Sequence, residues 1–397
     1  MNDKDLKEKE FREQEFGETD FKVPEKAAES GPRTSIPVII PAYEPDERLL
    51  QLLDSFQEQG IRDVVLVDDG SGDAYREIFR EAGEKIARLG GAVLTHEVNR
   101  GKGRALKTAF AYVLEHEPDA VGAVTADSDG QHDTGCIRSV MEKLREEPEA
   151  LVLGVRTFDG ENVPWKSAVG NKLTMKVLGY VSGVRVTDTQ TGLRGIPRRF
   201  MRELLDTPGE RFEFETQMLL ATTKLQPPVE IREVPIRTIY DSKENHQTHF
   251  HPLKDSIRIY RILGAKFIKY LFTSLSSSVL DLVLFALFCR LLKGGGTGGI
   301  EALRGVPYVA AATVLARVLS ATYNFSMNYK VVFRSRENVG ASAARYILLA
   351  VIQMTLSAVL VTGGTGLLPS VPEVAVKAVV DTVLFLISYY VQRKYVF

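Results

Sequence analysis

Cysteine is nearly absent from this chain of 397 residues: Cys136 and Cys289 are the only two, and they lie far apart. That excludes a disulfide framework and a cysteine-based metal centre, and both are expected to be buried small apolar residues. An excess of either charge is absent too. Lys and Arg number 50 against 51 Asp and Glu, a formal net charge of −1, so nothing points to a nucleic-acid partner. The pattern G-x-x-x-x-G-K-[ST] is missing although Gly101-Lys102 resembles its end, which excludes a P-loop ATPase. The run Gly294–Gly299 follows no strand and reads as a linker rather than a dinucleotide site. Residues 1–34 have almost no aliphatic side chains among many Lys, Glu and Asp, so a disordered tail is expected there. They hold no apolar signal-peptide core, and the expectation is that the N-terminus stays in the cytoplasm.

Long apolar runs are missing from the first two thirds and crowd the last third, so the mean hydropathy of −0.06 averages two unlike parts. In the first part, short apolar runs alternate with helical spacing. Strands are expected at Ile36–Ile40, Val64–Val67, Gly91–His96, Ala120–Thr125, Leu151–Val155 and Val229–Ile236. Helices are expected at Asp46–Gln59, Ala74–Leu89 and Thr134–Glu146, with another opened by Asn99–Gly103 and reaching Glu115. The alternation predicts an α/β fold with a mostly parallel sheet and helices on both faces. Ligands of such sheets bind at the C-terminal strand ends. Pro41-Ala42-Tyr43, Val67-Asp68-Asp69, Arg100 with Lys102, and Asp127 with Asp129 all fall at such ends.

The stretch Ala126-Asp127-Ser128-Asp129-Gly130-Gln131-His132 carries the chemistry. In extended backbone, side chains at i and i+2 share a face, so Asp127 and Asp129 can meet one divalent cation with Gln131 as a third oxygen. Oxygen ligands suit Mg²⁺ or Mn²⁺; the competing reading is a solvated acidic turn. Tyr43 can stack on a base or pack a loop. Asp68 or Asp69 can accept from a base or a sugar hydroxyl, or cap a turn. Lys102 stands at a helix start that favours phosphate, or is an ordinary exposed lysine.

Ile39-Ile40-Pro41-Ala42-Tyr43, Val67-Asp68-Asp69-Gly70-Ser71, Asn99-Arg100-Gly101-Lys102-Gly103 and Asp127–His132 together resemble glycosyltransferase family 2. Gly154-Val155-Arg156 and Asp188-Thr189-Gln190-Thr191-Gly192-Leu193-Arg194 resemble the branch of polyprenol-phosphate sugar synthases, the dolichol-phosphate mannose synthase type. The resemblance implies a GT-A, Rossmann-like cytoplasmic domain over residues 35–235. It implies nucleotide-sugar contacts from Pro41, Tyr43, Glu44, Val67, Asp68, Asp69, Lys102 and Ser128. It implies catalysis by Asp127, Asp129, Arg156 and Arg194, a metal on Asp127, Asp129 and Gln131, and an acceptor phosphate held by Arg156, Thr191 and Arg194. One departure stands out: the branch often reads Pro-x-Tyr-Asn-Glu, whereas here Glu44 follows Tyr43 directly. Glu213 and Glu215, in Phe212–Gln217, either orient the site or begin a helix over Thr216–Lys224. The expected reaction moves one hexose, mannose from GDP-mannose or glucose from UDP-glucose, onto a dolichyl or undecaprenyl phosphate with inversion. A processive polysaccharide synthase would carry Gln-x-x-Arg-Trp, but the only tryptophan, Trp165, follows Val163-Pro164.

The loop after the last strand, with Arg237, Lys243 and Asn245, is expected to close on the donor diphosphate. Its His246, His249 and His251 lack the spacing of helical zinc pairs. Leu253–Tyr270 then reads as an amphipathic helix against anionic headgroups, with residues 236–266 forming loop and interface helix. A span needs roughly 20 apolar residues. Phe267–Leu292, Tyr308–Phe325, Tyr346–Leu368 and Val374–Val391 qualify, giving a four-helix transmembrane domain over residues 267–397. Lys330, Arg334, Arg336, Arg345, Arg393 and Lys394 then belong on the cytoplasmic side. Spans two and four end alike, spans one and three start alike, and this duplicated hairpin resembles the GtrA-type membrane domain. Asp281, Arg317 and Asp381 lie within spans, and buried charges there should pair. An alternative reading is a transporter of lipid-linked sugar whose soluble domain only binds.

Overall fold

The structure, a computed structural model, describes residues 35–156, 165–236, 252–294, 308–335, 337–368 and 370–397. It divides between Ile262 and Leu263 into two compact units. The first opens with β1 (Val38–Ala42), α1 (Glu47–Gln59), β2 (Val64–Asp68), α2 (Arg76–Arg88), β3 (Ala92–Thr95), α3 (Lys102–His116) and β4 (Gly122–Thr125). It continues with α4 (Thr134–Glu146), β5 (Leu151–Arg156), α5 (Trp165–Ser182), β6 (Arg194–Pro197), α6 (Arg198–Leu205), α7 (Glu213–Ala221) and β7 (Ile231–Ile236).

Local chemistry explains the first helix. Asp46 caps α1 by accepting from the Arg48 amide, and Gly60 ends it at φ 69°, a conformation that suits glycine. Leu49, Leu52, Leu53 and Phe56 repeat at helical spacing and are all buried. They pack on Val38, Ile40, Val64 and Leu66 to form one face of the core.

The sheet order is β3-β2-β1-β4-β6-β5-β7. β1 pairs in parallel with β2 and β4, and β5 in parallel with β7, whereas β6 runs antiparallel to both β4 and β5. This is the expected mostly parallel sheet. The chain moves from β1 through β2 to β3 on one side and places β4 on the other. The crevice at the C-terminal ends of β1 and β4 is therefore the switch point where ligands of such sheets bind. Three elements went unread in the sequence: α5, β6, and the helix α6 that follows β6 directly.

The second unit begins within one helix, α8 (Pro252–Gly294). The expected amphipathic helix and the expected first span are thus a single unbroken element. Three helices follow: α9 (Tyr308–Met327), α10 (Val339–Leu367) and α11 (Glu373–Val391). Among the described residues, three segments are long and apolar enough to cross a membrane: Ile257–Leu292, Val339–Leu367 and Ala375–Val396. The expected second span is the 20-residue α9, which is not one of these.

The duplication seen in sequence is visible in the contacts of this unit. α9 and α11 each end in a π-helical turn, Asn328–Val332 and Gln392–Val396. Asn328 and its counterpart Gln392 share a 3.1 Å hydrogen bond, with the Asn328 amide donating. Their equivalents Phe333 and Phe397 stack at 5.1 Å. Phe325 meets Phe397 at 5.7 Å, and the matching pair Phe333 and Tyr389 meet at 5.8 Å. Equivalent residues touching each other, with other contacts repeated in pairs, is the pattern of a two-fold interface. Asn328→Leu is expected to cost the unit about 1 kcal/mol, read as an earlier loss of helical signal on heating in detergent.

Of the charges expected within spans, Arg317 pairs with Asp281 at 3.2 Å. Asp381 instead accepts from Ser357 at 2.7 Å and pairs with Lys377 at 2.8 Å.

Candidate active site

The acidic pair sits at the end of β4, beside the β1 crevice. The loop after β4 abuts α1: a Cβ on Gly130 would lie 3.5 Å from the Arg48 Cβ. Asp127 is held from three sides. Lys102 donates to its Oδ1 at 2.7 Å, His132 Nε2 lies 3.4 Å from its Oδ2, and Gly192 presses on the carboxylate from the 188–194 loop. A Cβ at Gly192 would come within 2.1 Å of Asp127 Oδ2. The loop itself is anchored by Thr125, whose hydroxyl donates to the Gly192 carbonyl at 2.7 Å.

The two carboxyls differ electrostatically. Burial raises Asp127, but the Lys102 ammonium and His132 outweigh it and hold the group well below the usual carboxylate range. Asp129 is raised, first by burial and then by the negative charge of Asp127. Crowded carboxyls of this kind, one penalising ionisation of the other, fit a divalent cation, which would relieve both. Asp129 Oδ1 accepts the Gln131 amide N–H at 3.1 Å, the compact turn expected of Asp-Gly-Gln. Among the described residues no group of three His, Cys, Asp or Glu side chains is placed to hold a metal ion.

Lys102 is not a free cation at a helix start. Its ammonium bridges Asp127 Oδ1 and Glu215 Oε1, at 2.7 and 2.8 Å. Burial lowers its pKa, but the two carboxylates outweigh that and raise it above the usual lysine range.

Asp69 is buried and fully committed. It accepts from the backbone of Arg100 at 3.0 Å and Gly101 at 2.7 Å, and from His96 Nδ1 at 2.7 Å. It braces the loop that launches α3. Asp68 accepts from the Ser71 amide at 2.9 Å, the turn-capping alternative, while remaining partly exposed. Val67 is buried in β2 opposite Pro41 of β1, so neither side chain is displayed as a loop residue would be. Glu44 has φ 49° and its amide donates to Ser71 Oγ at 2.9 Å. The Tyr43 phenol is raised, chiefly by its hydrogen bond with Glu44. Ser128 is partly exposed beside the acidic pair.

The two arginines part company. Arg156, at the end of β5, grips buried Asp188 with Nε at 2.7 Å and a terminal nitrogen at 3.0 Å, and it stays partly exposed. Arg194 is 1% exposed. Its guanidinium donates to the carbonyls of Thr191 at 2.9 Å, Glu215 at 2.8 Å and Thr189 at 3.4 Å, and burial lowers its pKa. It ties the 188–194 loop to α7 from inside. Thr191 is buried as well, its hydroxyl accepting from the Leu193 amide at 3.3 Å. Arg237, Lys243 and Asn245 lie outside the described residues.

Gly192, His132 and Asp188 stood in the motifs without a task, and Glu215 stood between two readings. His132 Nε2 is buried against Asp127 Oδ2, and its Nδ1 is buried without a hydrogen-bond partner among the described residues. His132→Gln is expected to lower turnover about tenfold by loosening Asp127, checked by steady-state kinetics.

Comparison with known proteins agrees with this architecture. Residues 38–205 match the model of glycosyl transferase family 2, and residues 269–397 match the GtrA/DPMS transmembrane domain. A UDP-N-acetylglucosamine–dolichyl-phosphate N-acetylglucosaminyltransferase of Methanococcus voltae is 29% identical over 217 residues, covering 51% of this chain and 85% of that protein. A dolichyl-phosphate beta-glucosyltransferase of Trichomonas vaginalis is 27% identical over 244 residues, covering 56% and 71%. Among solved structures, a mannosyltransferase of Pyrobaculum calidifontis in complex with GDP-Man and Mn²⁺ is 16% identical, covers 97% of this chain and 93% of its own, and has a TM-score of 0.38. Residues 38–205 thus carry a glycosyl transferase family 2 domain on a mostly parallel sheet, and residues 269–397 carry a GtrA/DPMS transmembrane domain.

Proposed function

We propose that the protein transfers one sugar from a nucleotide sugar to the phosphate of a polyprenyl lipid, inverting the anomeric carbon. One observation carries the reading: the Asp127–Asp129 pair stands at the switch point of the sheet in a chain that also carries a GtrA/DPMS transmembrane domain. The names of the relatives support the acceptor class. They differ in the sugar, N-acetylglucosamine in one and glucose in the other, so an N-acetylhexosamine joins mannose from GDP-mannose and glucose from UDP-glucose as a candidate donor sugar.

Asp127, Asp129 and Gln131 would hold the Mg²⁺ or Mn²⁺. When bound, that ion neutralises the departing nucleoside diphosphate. Tyr43, Glu44 and Asp68 line the β1 and β2 ends of the crevice, where a nucleoside would rest. The acceptor phosphate is already anionic at neutral pH, so the chain needs no strong general base. Arg156 is the guanidinium left to meet it, pre-oriented by Asp188 for a two-point grip on phosphate oxygens. In this reading α9 is a fourth span, and the Lys- and Arg-rich loop after it and the C-terminus face the cytoplasm with the catalytic domain.

Asp129→Ala is the test. With nucleotide sugar, polyprenyl phosphate and Mn²⁺, turnover is expected to fall by about 10²- to 10³-fold. Unchanged turnover would overturn the reading.

A further inference from the structure

Glu215 has no task in the reaction as drawn, yet it is buried and points its carboxylate at Lys102. Its surroundings are rigid. The segment leading into α7 is bolted to α3 by Glu210, which takes Arg104 at 2.5 Å and Lys107 at 2.9 Å, while its carbonyl accepts the Arg104 amide at 3.0 Å. Gly103 leaves no room between the helices: a Cβ there would lie 2.6 Å from the Phe214 Cβ. The Glu215 carbonyl is itself fixed by Arg194. Lys102 therefore hangs between two carboxylates whose positions the fold sets independently, Asp127 from β4 and Glu215 from α7.

We propose that Glu215 is a positioning residue that sets the charge of the cation and diphosphate site through Lys102. The inference rests on the function proposed above. With both carboxylates present, the three groups sum to one negative charge, which favours a cation on the free side of Asp127. When that cation draws charge from Asp127, Glu215 keeps the Lys102 ammonium in place, so it remains as a second positive group beside the diphosphate. Without the Glu215 charge the remaining pair, Asp127 and Lys102, would be neutral, with Asp127 alone holding Lys102. The site would then repel a cation more and an anion less.

The experiment uses the full-length protein in detergent and two probes that need no knowledge of the sugar or base. One is Mn²⁺ alone, followed by the loss of its free-ion electron paramagnetic resonance signal. The other is inorganic pyrophosphate in EDTA, followed by calorimetry. Glu215→Gln keeps the shape and removes the charge. It is expected to weaken Mn²⁺ about tenfold and to tighten pyrophosphate severalfold. Lys102→Met is expected to do the reverse, tightening Mn²⁺ and weakening pyrophosphate, and keeps the test decisive if Glu215→Gln misfolds. A purely structural role would weaken both probes together; that outcome, or no shift of either, overturns the proposal. Failure of the functional reading looks different: the unaltered protein would bind neither Mn²⁺ nor pyrophosphate.

Discussion

Gly192→Ala is expected to lower sugar transfer by about 10²-fold or more while the circular dichroism spectrum stays that of the parent. The added methyl group would sit 2.1 Å from Asp127 Oδ2 and 2.6 Å from its Cγ, far inside van der Waals contact. Neither side can yield easily. The glycine carbonyl is pinned by Thr125, and Leu193 and Arg194 lead at once into β6. Asp127 must therefore leave Lys102 and His132, and a displacement of about 1 Å at a reacting centre costs on the order of 10²-fold. Gly179→Ala is the control. Its Cβ would meet nothing nearer than the Val184 carbonyl at 3.6 Å, ordinary contact on a helix. A Gly192→Ala protein of full activity would mean that the 188–194 loop does not frame the carboxylate.

The second large effect is on stability. Arg194→Met should strand three interior carbonyls, those of Thr189, Thr191 and Glu215. Unsatisfied buried polar groups cost about 1–3 kcal/mol each, so a loss of about 3 kcal/mol or more is expected. For a domain of this size that is about 6–12 °C in the melting temperature of the soluble part. Arg194→Lys should not restore it, because a single ammonium cannot reproduce the planar fork. The two possible roles of Arg194 separate cleanly here. A phosphate clamp would keep its melting temperature in Arg194→Lys and raise KM for the lipid. An interior tie loses stability in both variants.

How far the sequence could be read depended on how local the cause was. The strands β1, β2 and β4 are continuous apolar runs, and burial on both sides of the sheet needs no more than that. β6 is four residues, Arg-Gly-Ile-Pro, and owes its existence to β4 and β5 on either side of it, partners far away in the chain. Asp127 and Asp129 were legible because their spacing is their chemistry. The interior bonds of Asp69 and Arg194 were not legible, for the opposite reason. What decides their tasks is what lies opposite: His96 and Gly101 for one, Glu215 for the other. The continuous α8 follows the same logic, since no proline inside Leu253–Leu292 interrupts it and only a change of surroundings separates its two halves.

The paired hairpins of the second unit have a consequence of their own. Gln392 lies 64 positions after Asn328, and Asp381 lies 64 positions after Arg317. Tyr346 lies 76 positions after Tyr270, and Ser357 lies 76 positions after Asp281. The ion pair Asp281–Arg317 and the hydrogen bond Ser357–Asp381 therefore occupy one and the same place in the two halves. Two identical subunits related by symmetry would have to carry one residue at each such place. Because both halves are written into a single polypeptide, one has taken a guanidinium where the other has a carboxylate, and the bundle has acquired a polarity that no homodimer of this hairpin could possess.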